Sequence, residues 1–437
     1  MKLIKYYLTL ILCSLISVNS YAEDNPDLNP ASSGGATFVE NVRSDVDKFL
    51  KSKGMKRGRN VKKDGTPFFV TVGDGEISAN RDNKMIHDSR NTAFQEAFSE
   101  AKANYVKTLL ELITAELSAK TYENNMPDTM AEDAIKTAVG TDSGSFEKLK
   151  KLISVKLDSA LREEGYSPEM ADAEKEAIKK KVLRSREITE TITSSAQSMI
   201  SGFQSYKIFE GAKEGQRGTI TVVALWSPKL NQLAKAIRGA NTNVPKGTPK
   251  KPIEKQLKLD NADVLLASFG TNMYVNENGN FVLVSYGHAS PIIENDPGAL
   301  SSACDIAEKR AKGNMVRFAN EQIAYESMLN SVDKAETFVE AGMQAYESLQ
   351  GREYENLIKS KSSMPLKGQQ LIGTYPINKS SLYNSTDCVA VVQWSAEGVV
   401  AANQSQSEMN NTSSSSSGSS NQAGQETTSS QTPSDDF

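Results

Sequence analysis

The chain repeats itself, and that repetition constrains its fold more than any other feature of the sequence. Phe69-Val70-Thr71-Val72-Gly73 recurs as Leu283-Val284-Ser285-Tyr286-Gly287, each segment preceded by a tight-turn pair, Asp64-Gly65 and Asn278-Gly279. Upstream, Phe49-Leu50 with Gly54 answers to Leu265-Leu266 with Gly270. Downstream, Ala93, Ala97 and Ala101 return as Ala303, Ala307 and Ala311. Lys102/Lys312, Asn104/Asn314 and Val106/Val316 follow, all at an offset of 210 residues. Each copy closes on a β-rich run ending in Trp-Ser, Ile220 to Trp226-Ser227 and Val389 to Trp394-Ser395, and these hold the two tryptophans of the chain. Four blocks in the same order make a tandem duplication.

One copy reads as a strand, a long helix and one or two returning strands. Alanines four apart form a smooth stripe on one helix face, which lets the backbone lie close over a sheet. Alternation such as Ile220-Thr221-Val222 suits a strand with one buried face. The expected fold class is α+β: two tandem related domains, each a small sheet packed against a long alanine-striped helix, with a helical insertion in the first and a disordered C-terminal tail.

The offset falls from 210 at the helices to 168 at the Trp-Ser pairs, so the first copy carries about 42 extra residues. They lie at about 122–193, a charged segment with helical pattern that reads as a solvated hairpin. Copy two has a shorter helix there, roughly Val332 to Leu349. The remaining boundaries are a signal peptide at 1–22, an N-terminal extension at 23–43, the first repeat at 44–240 and the second at 260–400. Between the repeats, the Pro/Lys linker at 241–259 is expected to hold the domains apart. The Ser/Asn/Gln-rich tail at 401–437 has too few large apolar residues to offset its ordering entropy by burial.

Lys2 and Lys5, the apolar run Leu8 to Val18 and Ser20-Tyr21-Ala22 form a secretory signal, with cleavage between Ala22 and Glu23. The expected destination is the periplasm, with an extracellular one as the alternative. No segment of the mature chain is apolar enough to span a bilayer. Cleavage removes Cys13 and leaves Cys304 and Cys388 in a compartment that permits disulfides. By the repeat offsets these correspond to Phe94 and Ile220, both large and apolar. The expectation is a structural disulfide in copy two where copy one has an apolar contact. Closing a loop of about 85 residues is worth about 4–5 kcal/mol at most in the chain-entropy model. Reduction is expected to lower the melting temperature of the second domain only.

A formal charge of −4 argues against nucleic acid as a partner. The two histidines, His87 and His288, read as exposed loop residues, and neither stands near a recognisable nucleophile motif. Asp64, Asp74, Glu76 and Asp82 lack calcium-loop spacing and read as solvated turns. Gly73-Asp74-Gly75 lacks the third glycine of a phosphate loop. No catalytic residue, metal site or cofactor is expected.

A strand ending in glycine, a helix with an Ala-xxx-Ala-xxx-Ala stripe, a polar insertion and a final Val-rich strand, in an exported chain, resemble the bacterial lipoprotein-20-like envelope domain. That fold is also similar to the N-terminal domain of flagellar T-ring assembly proteins. The resemblance covers about 44–230 and 260–396 and departs from the lipoproteins in lacking a lipidation cysteine. It implies an envelope structural or assembly role and carries over no catalytic residues. The expected function is a non-enzymatic periplasmic scaffold with envelope or periplasmic proteins as partners, homo-oligomerisation remaining open. The alternative is a ligand-binding protein or enzyme with its site between the domains. Carboxylates and a histidine converging in an interdomain groove would favour the alternative. A dry or absent groove, with an apolar patch on the insertion, would favour the scaffold.

Overall fold

Each repeat folds through the same core series: a helix, a β-hairpin, a long helix, two further strands and a closing helix. The computed structural model describes residues 36–38, 42–80, 82–119, 158–167, 169–183, 199–211, 218–329, 366–378, 380 and 383–415. Repeat one comprises β1 (Ala36–Phe38), α1 (Val42–Ser52), β2 (Gly58–Val61), β3 (Pro67–Ile77), the long helix α2 (Ile86–Ala119), α3 (Asp172–Leu183), β4 (Phe203–Gly211), β5 (Gly218–Trp226) and α4 (Pro228–Arg238). Repeat two comprises α5 (Ile253–Gln256), α6 (Ala262–Leu266), β6 (Gly270–Val275), β7 (Phe281–Ala289), the long helix α7 (Pro297–Leu329), β8 (Gln369–Ile377), β9 (Asp387–Trp394) and α8 (Ala396–Ser415).

The two sheets have one topology. Strand order is β2-β3-β5-β4 in the first and β6-β7-β9-β8 in the second, all antiparallel, and β1 adds to the β4 edge in parallel. The turns at Gly65 (φ 83°) and Gly279 (φ 76°) close the two hairpins where Asp-Gly and Asn-Gly stand. A bulge interrupts β4 between Ser205 and Lys207 and β8 between Leu371 and Gly373, opposite equivalent residues of β5 and β9. The Trp226 indole donates to the Ser201 carbonyl and the Trp394 indole to that of Lys367. Ser227 and Ser395 then cap the helices that follow, accepting from the Leu230 and Gly398 N–H groups. The structure is a duplication down to its caps.

The alanine stripes seat each long helix on glycine. A Cβ at Gly73 would stand 2.1 Å from the Ala97 carbonyl oxygen, and one at Gly287 2.0 Å from that of Ala307. Asn104 and Asn314 each donate to a carbonyl beside this contact, Val72 and Tyr286. Cys304 on α7 and Cys388 on β9 form the disulfide. Their counterparts Phe94 and Ile220 are both buried in the apolar core.

Three expectations need correction. The linker does not hold the repeats apart: its Val244, Ile253 and Leu257 are buried, and it runs along the β6–β7 hairpin. There the Pro245 carbonyl accepts from Phe281 N–H, and the Gly247 N–H donates to Gly279. Prolines that keep a chain extended also suit it to lie along a hairpin. The N-terminal extension at 23–43 supplies β1. The insertion, where described, is helical yet not simply solvated, because Leu161, Tyr166 and Val182 enter the core. The tail is helical as far as Ser415: Ser395 caps α8 and Val399 is buried, so a docked first turn nucleates residues whose composition argues for disorder. Residues 416–437, the signal peptide with its Ala22–Glu23 cleavage site, and the helix expected from Val332 to Leu349 lie outside the described residues.

Both apolar cores draw side chains from both repeats. Phe94, Phe98 and Tyr105 of α2 share one core with Phe269, Val282, Val284 and Tyr286 of repeat two. The second core joins Leu225, Leu230 and Leu233 to Phe281, Met315 and Phe318. Main-chain bonds cross as well, from the Gly202 N–H to the Phe318 carbonyl. No helix among the described residues is long and apolar enough to cross a membrane.

Candidate functional site

Polar chemistry concentrates where repeat one meets repeat two. Ile86, Arg90, Ala93, Ala97 and Ala101 fall on one face of α2, so the stripe that seats the helix also carries Arg90 inward. Arg90 and Glu210, the latter near the end of β4, are both buried and joined by a forked pair, Nη2 to Oε2 at 2.8 Å and Nε to Oε1 at 3.0 Å. Repeat two covers the pair. The Tyr383 hydroxyl donates to Glu210 Oε1, and the guanidinium lies 4.5 Å from the Tyr383 ring centroid and 5.1 Å from that of Phe269. Burial works against the Arg90 charge, and Glu210, Tyr383 and Asp387 together more than offset it, leaving Arg90 above its ordinary value.

The two histidines belong to this cluster, and their reading as exposed loop residues is wrong. His87 is the second residue of α2 and His288 lies within β7; both are buried. His87 Nε2 faces the Ser385 carbonyl at 3.3 Å and Nδ1 faces Arg90 Nη1 at 3.4 Å. An arginine only donates, so Nδ1 is the acceptor and His87 is the neutral Nε2–H tautomer. His288 is the reverse case. Its Nδ1 lies 2.9 Å from Asp387 Oδ2 and its Nε2 2.6 Å from the Ser268 carbonyl, both acceptors, so the pair holds a proton for each bond. Phe269 stacks on the imidazole at 4.5 Å. Burial works against the Asp387 carboxylate. The His288 hydrogen bond, with the electrostatic influence of the neighbouring His87, His288 and Arg90 side chains, outweighs it and holds Asp387 below the usual carboxylate range.

An Asp–His pair invites comparison with a general base, and the geometry answers it. The imidazole nitrogen that would take a proton from a nucleophile already donates to a main-chain carbonyl. Asp387 Oδ1, Ser290 Oγ and Ser385 Oγ are buried with no hydrogen-bond partner among the described residues. Among the described residues no group of three or more His, Cys, Asp or Glu is arranged to hold a metal.

A second polar seam runs between the long helices. Asp88, Gln95 and Lys102 stand seven apart on α2, pairing with Arg310 at 2.6 Å, Arg317 at 2.6 Å and Glu321 at 2.8 Å on α7. Partners that advance together along both helices make the pair parallel. Lys102 and Glu321 are buried, and burial lowers the lysine against the pull of the carboxylate. Its counterpart Lys312 instead pairs with Glu308 on its own helix, so the repeats have diverged where they meet. The cleft beside this seam, lined by Phe94, Phe98, Phe203, Arg317 and Phe318, has room for about one water, far short of a small-molecule site.

Among the described residues Asp64, Asp74, Glu76 and Asp82 form no group arranged to hold a metal. Asp64 accepts from the Thr66 N–H, Asp74 from the Thr221 hydroxyl, and Glu76 and Asp82 are exposed. Gly73 and Gly75 seat α2, with Ala97 and Ala93 where a phosphate would lie. Sequence reasoning missed Arg90, Glu210, Tyr383 and Asp387. One signal was present, an arginine on the buried face of an alanine stripe.

Comparison with known proteins adds two likenesses. A family model described as a domain of unknown function (DUF6844) matches residues 142–239, the second half of repeat one. The crystal structure of a hypothetical protein from Francisella tularensis is similar at 18% identity and a TM-score of 0.48, covering 85% of this chain and 98% of that one. No curated protein matches.

Proposed function

We propose that this chain is a non-enzymatic exported protein that serves as a scaffold in an envelope complex. The observation that carries the reading is the sealed interface. His87, Arg90, Glu210, His288 and Asp387 converge between the repeats, yet every one is buried and already engaged: Arg90 by Glu210 and His288 by Asp387 within a repeat, and His87 and Glu210 across the interface by Ser385 and Tyr383. Groups in such a setting fix geometry rather than meet substrate. The secretory signal, the disulfide and the resemblance to lipoprotein-20-like envelope domains support a periplasmic location. The alternative, a ligand-binding protein or enzyme with its site between the repeats, draws on the same convergence and on the unpartnered oxygens of Asp387, Ser290 and Ser385. It requires the interface to open.

Ile292 and Ile293, in the loop after β7, are 75% and 61% exposed, the most exposed large apolar side chains of the described residues. A photo-crosslinker at position 293 in intact cells should capture a discrete envelope protein that a crosslinker at the buried position 284 does not. Recovery of monomer alone, from this site and from bulk amine crosslinking, would count against the scaffold.

A further inference from the structure

We infer that the His87 cluster is a proton-operated latch between the repeats: uptake of a proton at His87 Nδ1 releases the N-terminal end of α2 from the Tyr383–Asp387 segment of repeat two. The inference rests on geometry and does not depend on the scaffold reading. In the closed state Nδ1 accepts from Arg90 Nη1 at 3.4 Å. A proton there turns the acceptor into a donor and sets two cations side by side, at a helix N-terminus that already disfavours positive charge. His87 is 0% exposed, so water cannot relieve the repulsion without the interface parting.

The groups around His87 come from every element packed there. Asp88 and Arg90 share its helix; Glu210 on β4 is engaged by Arg90; His288 lies on β7 and Asp387 on β9. Tyr383 and Ser385 precede β9, the tyrosine ring 5.1 Å from the imidazole. Arg310 on α7 is neutralised by Asp88, whose other oxygen accepts from the Ser290 N–H. Burial is the main cause that lowers His87 to about 4. The Asp387 carboxylate pulls the other way, and Arg90 and His288 add to the lowering. The Ser385 carbonyl accepts from Nε2–H in either state and favours the charged form; what a charged His87 strains is its contact with Arg90 and, through Arg90, the Tyr383–Glu210 closure that joins the repeats.

The sign follows from proton counting. Between the ordinary histidine value of 6.5 and about 4, the open form binds a proton that the closed form excludes. The closed state is at full strength above that window and weakens as pH falls through it, about tenfold per pH unit and about 300-fold across it.

The test is hydrogen exchange of the tag-free full chain from pH 7.5 to 4, corrected for intrinsic rates and read in peptides covering 83–92 and 383–390. Protection in both should fall about tenfold per unit below pH 6.5. It should stay flat in His87→Gln, whose amide can still donate to Ser385 without titrating. A flat wild type, or a variant that follows the wild type, overturns the latch. If the variant does not fold, the wild-type imidazole nitrogen spectrum decides, since the chain has two histidines to resolve. An Nε2–H tautomer at pH 7 that persists until protection falls supports the latch. A His87 that titrates near 6.5 while the peptides stay protected overturns it.

Discussion

Replacing Gly287 with alanine is expected to destabilise the protein by more than about 4 kcal/mol, a large share of the about 5–15 kcal/mol that keeps an ordinary domain folded. The added Cβ would lie 2.0 Å from the Ala307 oxygen and 2.5 Å from the Ala311 nitrogen, both main-chain atoms. The helix cannot step back cheaply. The Ser285 hydroxyl donates to the Ala311 carbonyl at 2.7 Å and Asn314 donates to the Tyr286 carbonyl at 3.0 Å, pinning α7 to β7 on either side of the glycine. Gly73→Ala should behave alike in repeat one, where the clash with Ala97 and Ala101 is equivalent. Gly65→Ala is the control. It has positive φ but open space around it, and should cost only about 1–2 kcal/mol. Urea unfolding of the three variants checks the order, and a Gly287→Ala protein as stable as Gly65→Ala would contradict the packing described.

Arg90→Ala should cost about 3–5 kcal/mol, because it strands the buried Glu210 carboxylate without the guanidinium that neutralises it. The pair itself is not the source of that figure. Exchanging both residues for methionine removes the charge together with its partner, and should recover most of the loss, less about 1–3 kcal/mol for a Tyr383 hydroxyl left without its acceptor. The interface therefore predicts a double variant more stable than the single one. Equal losses in Arg90→Ala and the double variant would mean that the ion pair is not buried as described.

What the sequence makes legible is packing within a repeat. Gly73 and Gly287, the alanine stripes and the closing Trp-Ser pairs each have a local reason to recur, so self-comparison reveals the unit and its topology. It also places Cys304 against Cys388 through their apolar counterparts. The interface between the repeats is not repeated, and that is where reading fails. His87 meets Ser385 across 298 residues and Glu210 meets Tyr383 across 173. No periodicity links such positions. His87 looks like a loop residue because the helix start at Ile86 carries no strong cap, whereas Arg90 sits in plain register with the buried stripe. In the tail and the linker, composition pointed to disorder and separation. One buried valine after a capping serine, and three apolar linker residues against a hairpin, override it.

The central claim is that two copies of one unit share their cores and lock into one body. Scanning calorimetry of the full chain, with Cys304–Cys388 intact and then reduced, tests it most directly. Shared cores predict one transition whose calorimetric and van't Hoff enthalpies agree, moving as a whole to lower temperature on reduction by the equivalent of about 2–4 kcal/mol. Two transitions, with only the one belonging to repeat two sensitive to reduction, would contradict it.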